Sequence, residues 1–592
     1  MKWLNSNRIR LVVIGLVAVI MLCSKSTSAD FTFGTPKILG MPVNSGYYDG
    51  SPCISSDGLE LYFASTREDG YGLDDIWVST RQTTDDEWGE PNNLGELINS
   101  SLSEYHPSIS SDGLELYMEV WEPAPSGSYY ISGGIYITKR ATRIDPWSER
   151  VMLDIAVPSG YLAASPSISA DGLELYFAMC RFGEDDNEAD IYVTTRETAS
   201  SPWGEPVSLG PVVNNWNSQV SPMISSDGLL LLFKDWWAGS PRPEGFGSDD
   251  IWFSRRTTKD ADWSEPVNLG AAINTAFADT DGMISADGST LYFSSNRYSA
   301  LFYNVRTQYH LYQAPILPVV DFDDDGILAI NDLLMLIENW GTDDPKFDIG
   351  PMPWGDGVVD AADLEALMKY WGKDVNAPSE PLAHWKLDES AGIIAYDSAG
   401  DNDATLVGEP IWQPTGGWLD GSLELDGVDD GAQASFVLNP SESPFSAFAW
   451  VKGGGPDQVI ISQAMGDIGR GVNWLLTDSA EGNLMSEFNC LDEDYSPGIA
   501  LLSSIEISDG LWHHVGLVWD LFNGTRILYV DGIEVAKDMM HEGGLLMWED
   551  GGINIGFQAS ILHRPGYWSG LIDDVRIYDR ALSAEEIAAL AQ

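Results

Sequence analysis

The sequence predicts a mainly β protein: a five-bladed β-propeller, then a small α-helical module, then a C-terminal β-sandwich jellyroll. Three observations predict it. One phrase is written five times, from ISSDGLELYFAS at Ile54 to ISADGSTLYFSS at Ile284, and its Asp-Gly falls at Asp57, Asp112, Asp171, Asp227 and Asp287. A strongly acidic loop starts at Asp321 and runs into an apolar helical pattern, LLMLIENWG. From Ala383 onward, alternating strand phrases are separated by Gly, Asp and Asn turns.

Size and charge bound the rest. A chain of 592 residues, 44% hydrophobic and 11% aromatic, has material for about three or four packed domains. Its formal charge of −59 excludes nucleic acid and anionic membranes as partners, because those associations begin on basic surface. Acidity of this kind favours solubility and divalent cations. Residues 1–29 read as a secretory signal, with Lys2, Arg8 and Arg10 before the apolar run Leu11 to Leu22 and small residues before Asp30. That run is too short to span a bilayer, so a secreted, cell-surface or periplasmic protein without membrane insertion is expected. Cys53, Cys180 and Cys490 remain after cleavage, an odd and scattered set that reads as buried free thiols.

The repeat spans residues 30–318, with Asp-to-Asp spacings of 55, 59, 56 and 60. Within a unit, P-x-I-S is a strand, S-x-D-G a tight turn and LELYFAS a second strand. A third strand begins at Asp75, Gly134, Asp190, Asp250 and His310, and a fourth follows Trp88, Trp147, Trp203 and Trp263. Four antiparallel strands per unit make one propeller blade. The fifth unit lacks its own fourth strand, and FGTPKILG at Phe33 has the pattern to supply it, which closes the ring and removes the open edge. Five blades are expected, or six if a degenerate unit is hidden. The phrases resemble the WD40-like repeat of the TolB family, which implies an interaction surface.

Equivalent blades make the five turn aspartates structural. The departures from the repeat are the site candidates. Eight positions before each turn aspartate stand Asp49, Glu104, Ala163, Gln219 and Asp279; six before stand Ser51, His106, Ser165, Ser221 and Asp281. They are expected at the channel mouth, with Arg67, Arg181, Arg297, Trp121, Trp236 and Trp237 added from the loops after the second strands. Aromatic faces beside charged groups suit a sugar or peptide ligand. A glycoside hydrolase would draw its acid and base from Asp49, Glu104, Asp279 and Asp281. The competing reading pairs the arginines with the local aspartates of the D-I-W/Y strands and leaves the acids as solvated rim. Binding is favoured over catalysis, since fold does not imply chemistry.

In residues 319–376, Asp321, Asp323 and Asp325 take the first, third and fifth positions of an EF-hand-like calcium loop. Gly326 turns it, Ile327 offers a carbonyl and Asp332 closes it. A second loop offers Asp356, Val358, Asp360 and Asp363, but Met352 and Trp354 stand where its first two ligands belong, with Asp348 the candidate replacement. Two loop–helix units ending in Trp-Gly resemble a type I dockerin, which implies Ca2+ and a cohesin-like partner. Ile330, Asn331, Ala361 and Ala362 lack the hydroxyl pair such contacts use, so a calcium-set rigid spacer competes.

Residues 377–381 are a linker. Beyond them, residues 382–592 carry AHWKLDES, GSLELDGVDD, FSAFAWVKG, LWHHVGLVWD and the ending IDDVRIYDRALSAEEI. These phrases resemble a laminin-G-like, concanavalin A-like jellyroll, which implies glycan or protein binding and one calcium ion. Asp430 and Asp573 are its candidate ligands, with strand-end capping the alternative. His513 and His514 read as packing. The chain as a whole reads as a secreted calcium-binding modular protein that binds extracellular polysaccharide or glycoprotein. A hydrolase and a cell-surface adhesion or envelope-scaffold protein are the alternatives.

Overall fold

The computed structural model describes residues 31–592 apart from 35, 85, 124–129, 182–187, 215–217, 236–241, 243–244, 298–307, 324–327, 372–380, 439, 441–443, 466–469, 489–498, 521–523, 540–550 and 559–565. The proposed signal segment and Cys490 lie outside the described residues; Cys53 and Cys180 are buried free thiols.

Blade 1 is the antiparallel sheet Asp49–Ile54, Glu60–Ser65, Asp75–Thr80 and Asn92–Asn93. Blades 2 to 4 repeat it, with innermost strands Ser103–Ile109, Leu162–Ile168 and Gln219–Ile224. The fourth strands are shorter than the sequence phrase, two residues each, in blade 2 as in the blades whose phrase carries Pro91, Pro206 or Pro266. Blade 5 has Asp279–Ile284, Thr290–Ser295 and His310–Pro318, and its missing strand is Lys37–Ile38, in register Lys37 with Gln313 and Ile38 with Tyr312. The five innermost strands neighbour one another in order around a closed circle. Sequence and structure agree on five blades closed by the N-terminal strand.

Each repeated turn is held the same way. Ser55 Oγ donates to Asp57 Oδ1 at 2.6 Å, the Leu59 amide donates to the same oxygen at 3.2 Å, and Gly58 takes φ +71°. Between blades, an arginine stacks on its own blade's tryptophan and reaches the preceding blade. Arg140 lies over Trp147 and pairs with Glu60; Arg196 lies over Trp203 and pairs with Glu115; Arg256 lies over Trp263 and pairs with Glu174.

The seam between blades 4 and 5 is built differently. Blade 4 has Leu230 and Leu232 where earlier blades have Glu and Tyr, and blade 5 brings no arginine. Trp354 fills the place. Its ring is 6% exposed, packs in one cluster with Phe31, Leu230, Leu232 and Phe253, and its Nε1 donates to the turn carboxylate Asp227 Oδ2 at 2.7 Å. Trp354 belongs to the helical module, whose helices α1 (Ile330–Glu338) and α2 (Ala361–Tyr370) pack over Val320, Phe322, Phe347, Ile349 and Val359. The stretched half of the second loop is thus a wedge into the propeller.

The C-terminal jellyroll is two eight-stranded sheets. Its core alternates inward from both, with Trp385, Ala447, Ala449, Val451, Trp474, Leu517 and Ile572 all buried. The hairpin Thr525–Val530 to Ile533–Met539 turns on Asp531 and Gly532 at φ +50° and +79°, the twist a two-residue Asp-Gly hairpin needs. A short helix α3, Ala584–Leu590, capped by Ser583, packs its Ile587 on Phe448 and Tyr529.

Candidate functional site

All five innermost strands carry a bulge, at Ser51, His106, Ser165, Ser221 and Asp281, where φ lies between +44° and +55°. A left-handed residue costs roughly 1 kcal/mol or more when it is not glycine. Five equivalent residues therefore turn to the axis and line one narrow cavity of about 40 Å³.

His106 is the hub of that cavity. Its Nδ1 lies 2.9 Å from Glu119 Oε2, and its Nε2 lies 3.4 Å from Asp281 Oδ1 and 3.2 Å from Ser221 Oγ. Lys234 Nζ pairs with the same Asp281 oxygen at 3.0 Å, Ser51 Oγ donates to Asp281 Oδ2 at 3.3 Å, and the Ser165 amide donates to Glu119 at 2.6 Å. One residue from each blade meets the others across the axis. Burial alone would push the His106 imidazole down, yet Glu119 and Asp281 together raise it to about 9. Burial opposes ionisation of Asp281, but Lys234 and His106 hold its carboxyl well below the usual range. Tyr48, with Tyr105 and Tyr309 at 6.2 and 5.7 Å between ring centroids, forms an aromatic group beside this cluster.

The cluster is charge-compensated, and its imidazolium is no general base at neutral pH. A cavity of about 40 Å³ has room for water and none for a sugar ring. Glu119 and Lys234 were not among the sequence candidates. The signal was present: seven positions after the turn aspartates stand Ala64, Glu119, Ala178, Lys234 and Ser294, so two charges replace small residues at one register.

The other rim candidates are corrected by their burial. Asp49, Glu104 and Asp279 are each 0% exposed. Asp49 accepts from Ser45 N and Oγ, Ser65 Oγ and Arg67, at 2.6 to 2.7 Å. Asp279 is held identically by Thr275, Ser295 and Arg297, and Glu104 by Ser100 and Arg150. They are braces under the innermost strands, unable to reach a substrate. Arg67 and Arg297 therefore pair with these braces and not with the D-I-W/Y aspartates. Trp121 is 8% exposed and packed on Ala164, Cys180 and Val220, which removes it from any stacking role. Arg181 alone of the arginines is exposed, beside Tyr161. Trp236 and Trp237 lie outside the described residues.

In the first calcium-type loop, Asp321, Asp323 and Asp332 bring one carboxylate oxygen each within 4.8 Å of one another, the convergence a single cation requires. Asp325 and Ile327 lie outside the described residues. The second loop departs from the expectation. Asp348 accepts from the Asp356 and Gly357 amides at 2.9 and 2.6 Å, and burial raises it to about 6. Asp363 accepts from Ile349, Gly350 and Asp360 amides, Asp360 caps α2, and Val358 is exposed. Among the described residues Asp348, Asp356, Asp360 and Asp363 do not converge as the first set does. Their carboxylates stitch backbone, because Trp354 has pulled the loop's first half onto the propeller.

In the jellyroll, Asp426, Asp429 and Asp430 form a second convergent acid group, with Asp430 4% exposed. Asp573 stands apart. Its Oδ2 accepts from the Leu419 amide at 2.8 Å, its Oδ1 is buried without a hydrogen-bond partner, and burial pushes it up to about 7. The loop it anchors presents Trp418, 46% exposed and stacked on buried Trp450 at 4.3 Å and 18°. His514 lies directly across from Trp450 and is packed, 1% exposed, with burial lowering it to about 4.

Residues 426–588 match the family described as the concanavalin A-like lectin/glucanases superfamily. No curated protein matches the chain. Among solved structures, domain 4 of AbnA, a GH43 extracellular arabinanase from Geobacillus stearothermophilus in complex with arabinotriose, is similar at 19% identity, covering 36% of this chain and 98% of that one, TM-score 0.26. Trypanosoma rangeli sialidase in complex with sialic acid is similar at 12% identity, covering 95% and 96%, TM-score 0.29. The C-terminal domain is a jellyroll that follows a five-bladed propeller, and residues 426–588 of it are similar to the lectin/glucanases superfamily.

Proposed function

We propose that this is a secreted modular protein that binds extracellular carbohydrate through its jellyroll, with calcium setting a spacer that ties jellyroll to propeller. The observation that carries it is Trp418: a half-exposed indole stacked on a buried one, on a loop pinned by a buried carboxylate. A rigid aromatic face beside polar groups suits the apolar face of a sugar ring. The lectin/glucanase class of residues 426–588 supports the same reading. Trp418→Ala is expected to weaken binding on a glycan array by about tenfold, the upper range for one aromatic stack, with unchanged thermal unfolding. Equal binding by the variant would remove this reading.

Calcium is proposed at Asp321, Asp323 and Asp332, with Asp325 and the Ile327 carbonyl completing the loop. Five acids in so short a loop repel one another unless a cation is held among them. Stability is expected to fall on chelation, by ~2.7 kcal/mol relative to calcium at a hundredfold its dissociation constant. Asp323→Asn should abolish that difference in urea unfolding; an unchanged difference places the cation elsewhere. The spacer reading is favoured over a free cohesin-binding module by Trp354, which fastens the module to blades 4 and 5. A protein partner, if one docks, has the exposed stripe Ile330, Leu334 and Ile337 on α1 to cover. A hydrolase reading of the channel loses Asp49, Glu104 and Asp279, which are sealed; Asp281 remains there with Glu119, and His106 stands between those two.

A further inference from the structure

The blade interfaces provide an internal standard for reading a cavity where blade 1 meets blade 5. Four arginines, Arg81, Arg140, Arg196 and Arg256, share one pose. Each donates Nε to the glycine carbonyl of its own blade's turn at 2.7 to 2.8 Å. Each lies over its own blade's tryptophan at 4.3 to 4.5 Å. In three of them the outer guanidinium nitrogen meets a glutamate of the preceding blade, at 3.0 Å on Glu60, 3.1 Å on Glu115 and 3.6 Å on Glu174. The same glutamates accept from the hydroxyls of Tyr62, Tyr117 and Tyr176 at 3.1, 2.7 and 2.9 Å. Arginine and tyrosine thus hold one carboxylate between them, three times over.

At the fourth such interface the arginine is Arg81 and the tyrosine is Tyr292, but the glutamate position is Thr290. Arg81 has no carboxylate partner among the described residues. Around Arg81, Tyr292 and Thr290 lies a cavity of about 430 Å³, within the size range of small-molecule sites. Its wall also carries Lys37, from the ring-closing strand, and the hydrogen-bonding side chains of Asp287, Ser289 and Gln313.

We propose that this cavity binds a uronic acid, its carboxylate taking the glutamate's place between Arg81 and Tyr292 and its hydroxyls meeting Asp287, Ser289 and Gln313. Asp287, Ser289 and Gln313 offer partners for several hydroxyls at once, which a sugar has and a peptide C-terminus lacks, and Ile54, Ala314 and Pro315 add an apolar side for the ring. The net charge of −59 does not forbid an anion here, since at physiological salt charges beyond ~8 Å are largely screened. The site is separate from Trp418 and stands or falls independently of it.

The test is calorimetric titration of the secreted chain with glucuronate and galacturonate, against glucose, galactose and acetate. Uronates are expected to bind at least about tenfold tighter than the neutral hexoses, and acetate more weakly than uronate. Thr290→Glu rebuilds the internal carboxylate, so it should lose uronate binding about tenfold while unfolding at the same or a higher temperature. The titrations are made in the Trp418→Ala background, so that sugar held by the jellyroll does not enter the isotherm. The proposal is overturned if hexoses bind as well as uronates, if acetate binds as tightly, or if the folded Thr290→Glu protein binds uronate like the parent.

Discussion

Trp354→Ala is expected to lower the unfolding free energy of the whole chain by ~3–5 kcal/mol, the usual cost of emptying a buried tryptophan site. The indole closes the only inter-blade seam, among the described residues, that has neither the arginine nor the glutamate of the repeat. Removing it exposes Leu230, Leu232 and Phe31 and strips Asp227 of its N–H donor. Trp354→Phe keeps most of the apolar contact and should cost ~1 kcal/mol, the worth of a hydrogen bond. Urea unfolding followed by far-ultraviolet circular dichroism reads both. If Trp354→Ala unfolds like the parent, the wedge contributes nothing and the helical module is merely tethered.

A comparable loss is expected from Asp281→Asn, ~3–5 kcal/mol, because it leaves Lys234 and protonated His106 buried together without their shared counter-charge. The same cluster writes a pH signature. His106 is held at about 9 in the fold against roughly 6.5 in an unfolded chain, so the proton is bound more tightly when folded. The stabilisation, about 3 kcal/mol, is complete below pH ~6.5 and is lost as pH rises through about 9. Glu119, Asp281 and Lys234 are the charged groups facing the ring; Asp281, held well below the usual carboxylate range, and Lys234, held above the usual lysine range, keep their charge across that window. The difference between the parent and His106→Gln unfolding profiles isolates the effect; parallel profiles from pH 6 to 10 would show that folding leaves the proton affinity of His106 unchanged.

Blade number and ring closure were legible because both are backbone matters, written in Asp-Gly turns, alternating strands and a terminal phrase that fits one gap. The channel was half legible. His106 and Asp281 stood out as breaks in a repeated register, while their partners Glu119 and Lys234 sit on the second strand, where pairing side by side shows only in three dimensions. Asp49, Glu104 and Asp279 looked singular because the comparison stopped at one column. Each follows by four residues a Ser or Thr preceded by Asn, at Asn44-Ser45, Asn99-Ser100 and Asn274-Thr275, and a motif repeated with its acid is a brace. Trp354 was read as a damaged calcium ligand, since nothing local says that an indole belongs to a neighbouring domain. The agreement of Leu230 and Leu232 with that indole is the trace of it in the chain.

The strand Lys37–Ile38 hydrogen-bonds to residues 312–313, more than 270 positions away. No partial product of synthesis shorter than that span can complete the toroid, whatever the order in which earlier blades collapse. Contacts this far apart in sequence are formed late and slowly. Until that pairing forms, the edge of His310–Pro318 stands open for strand addition, so completion of the ring waits until nearly the whole propeller sequence is present.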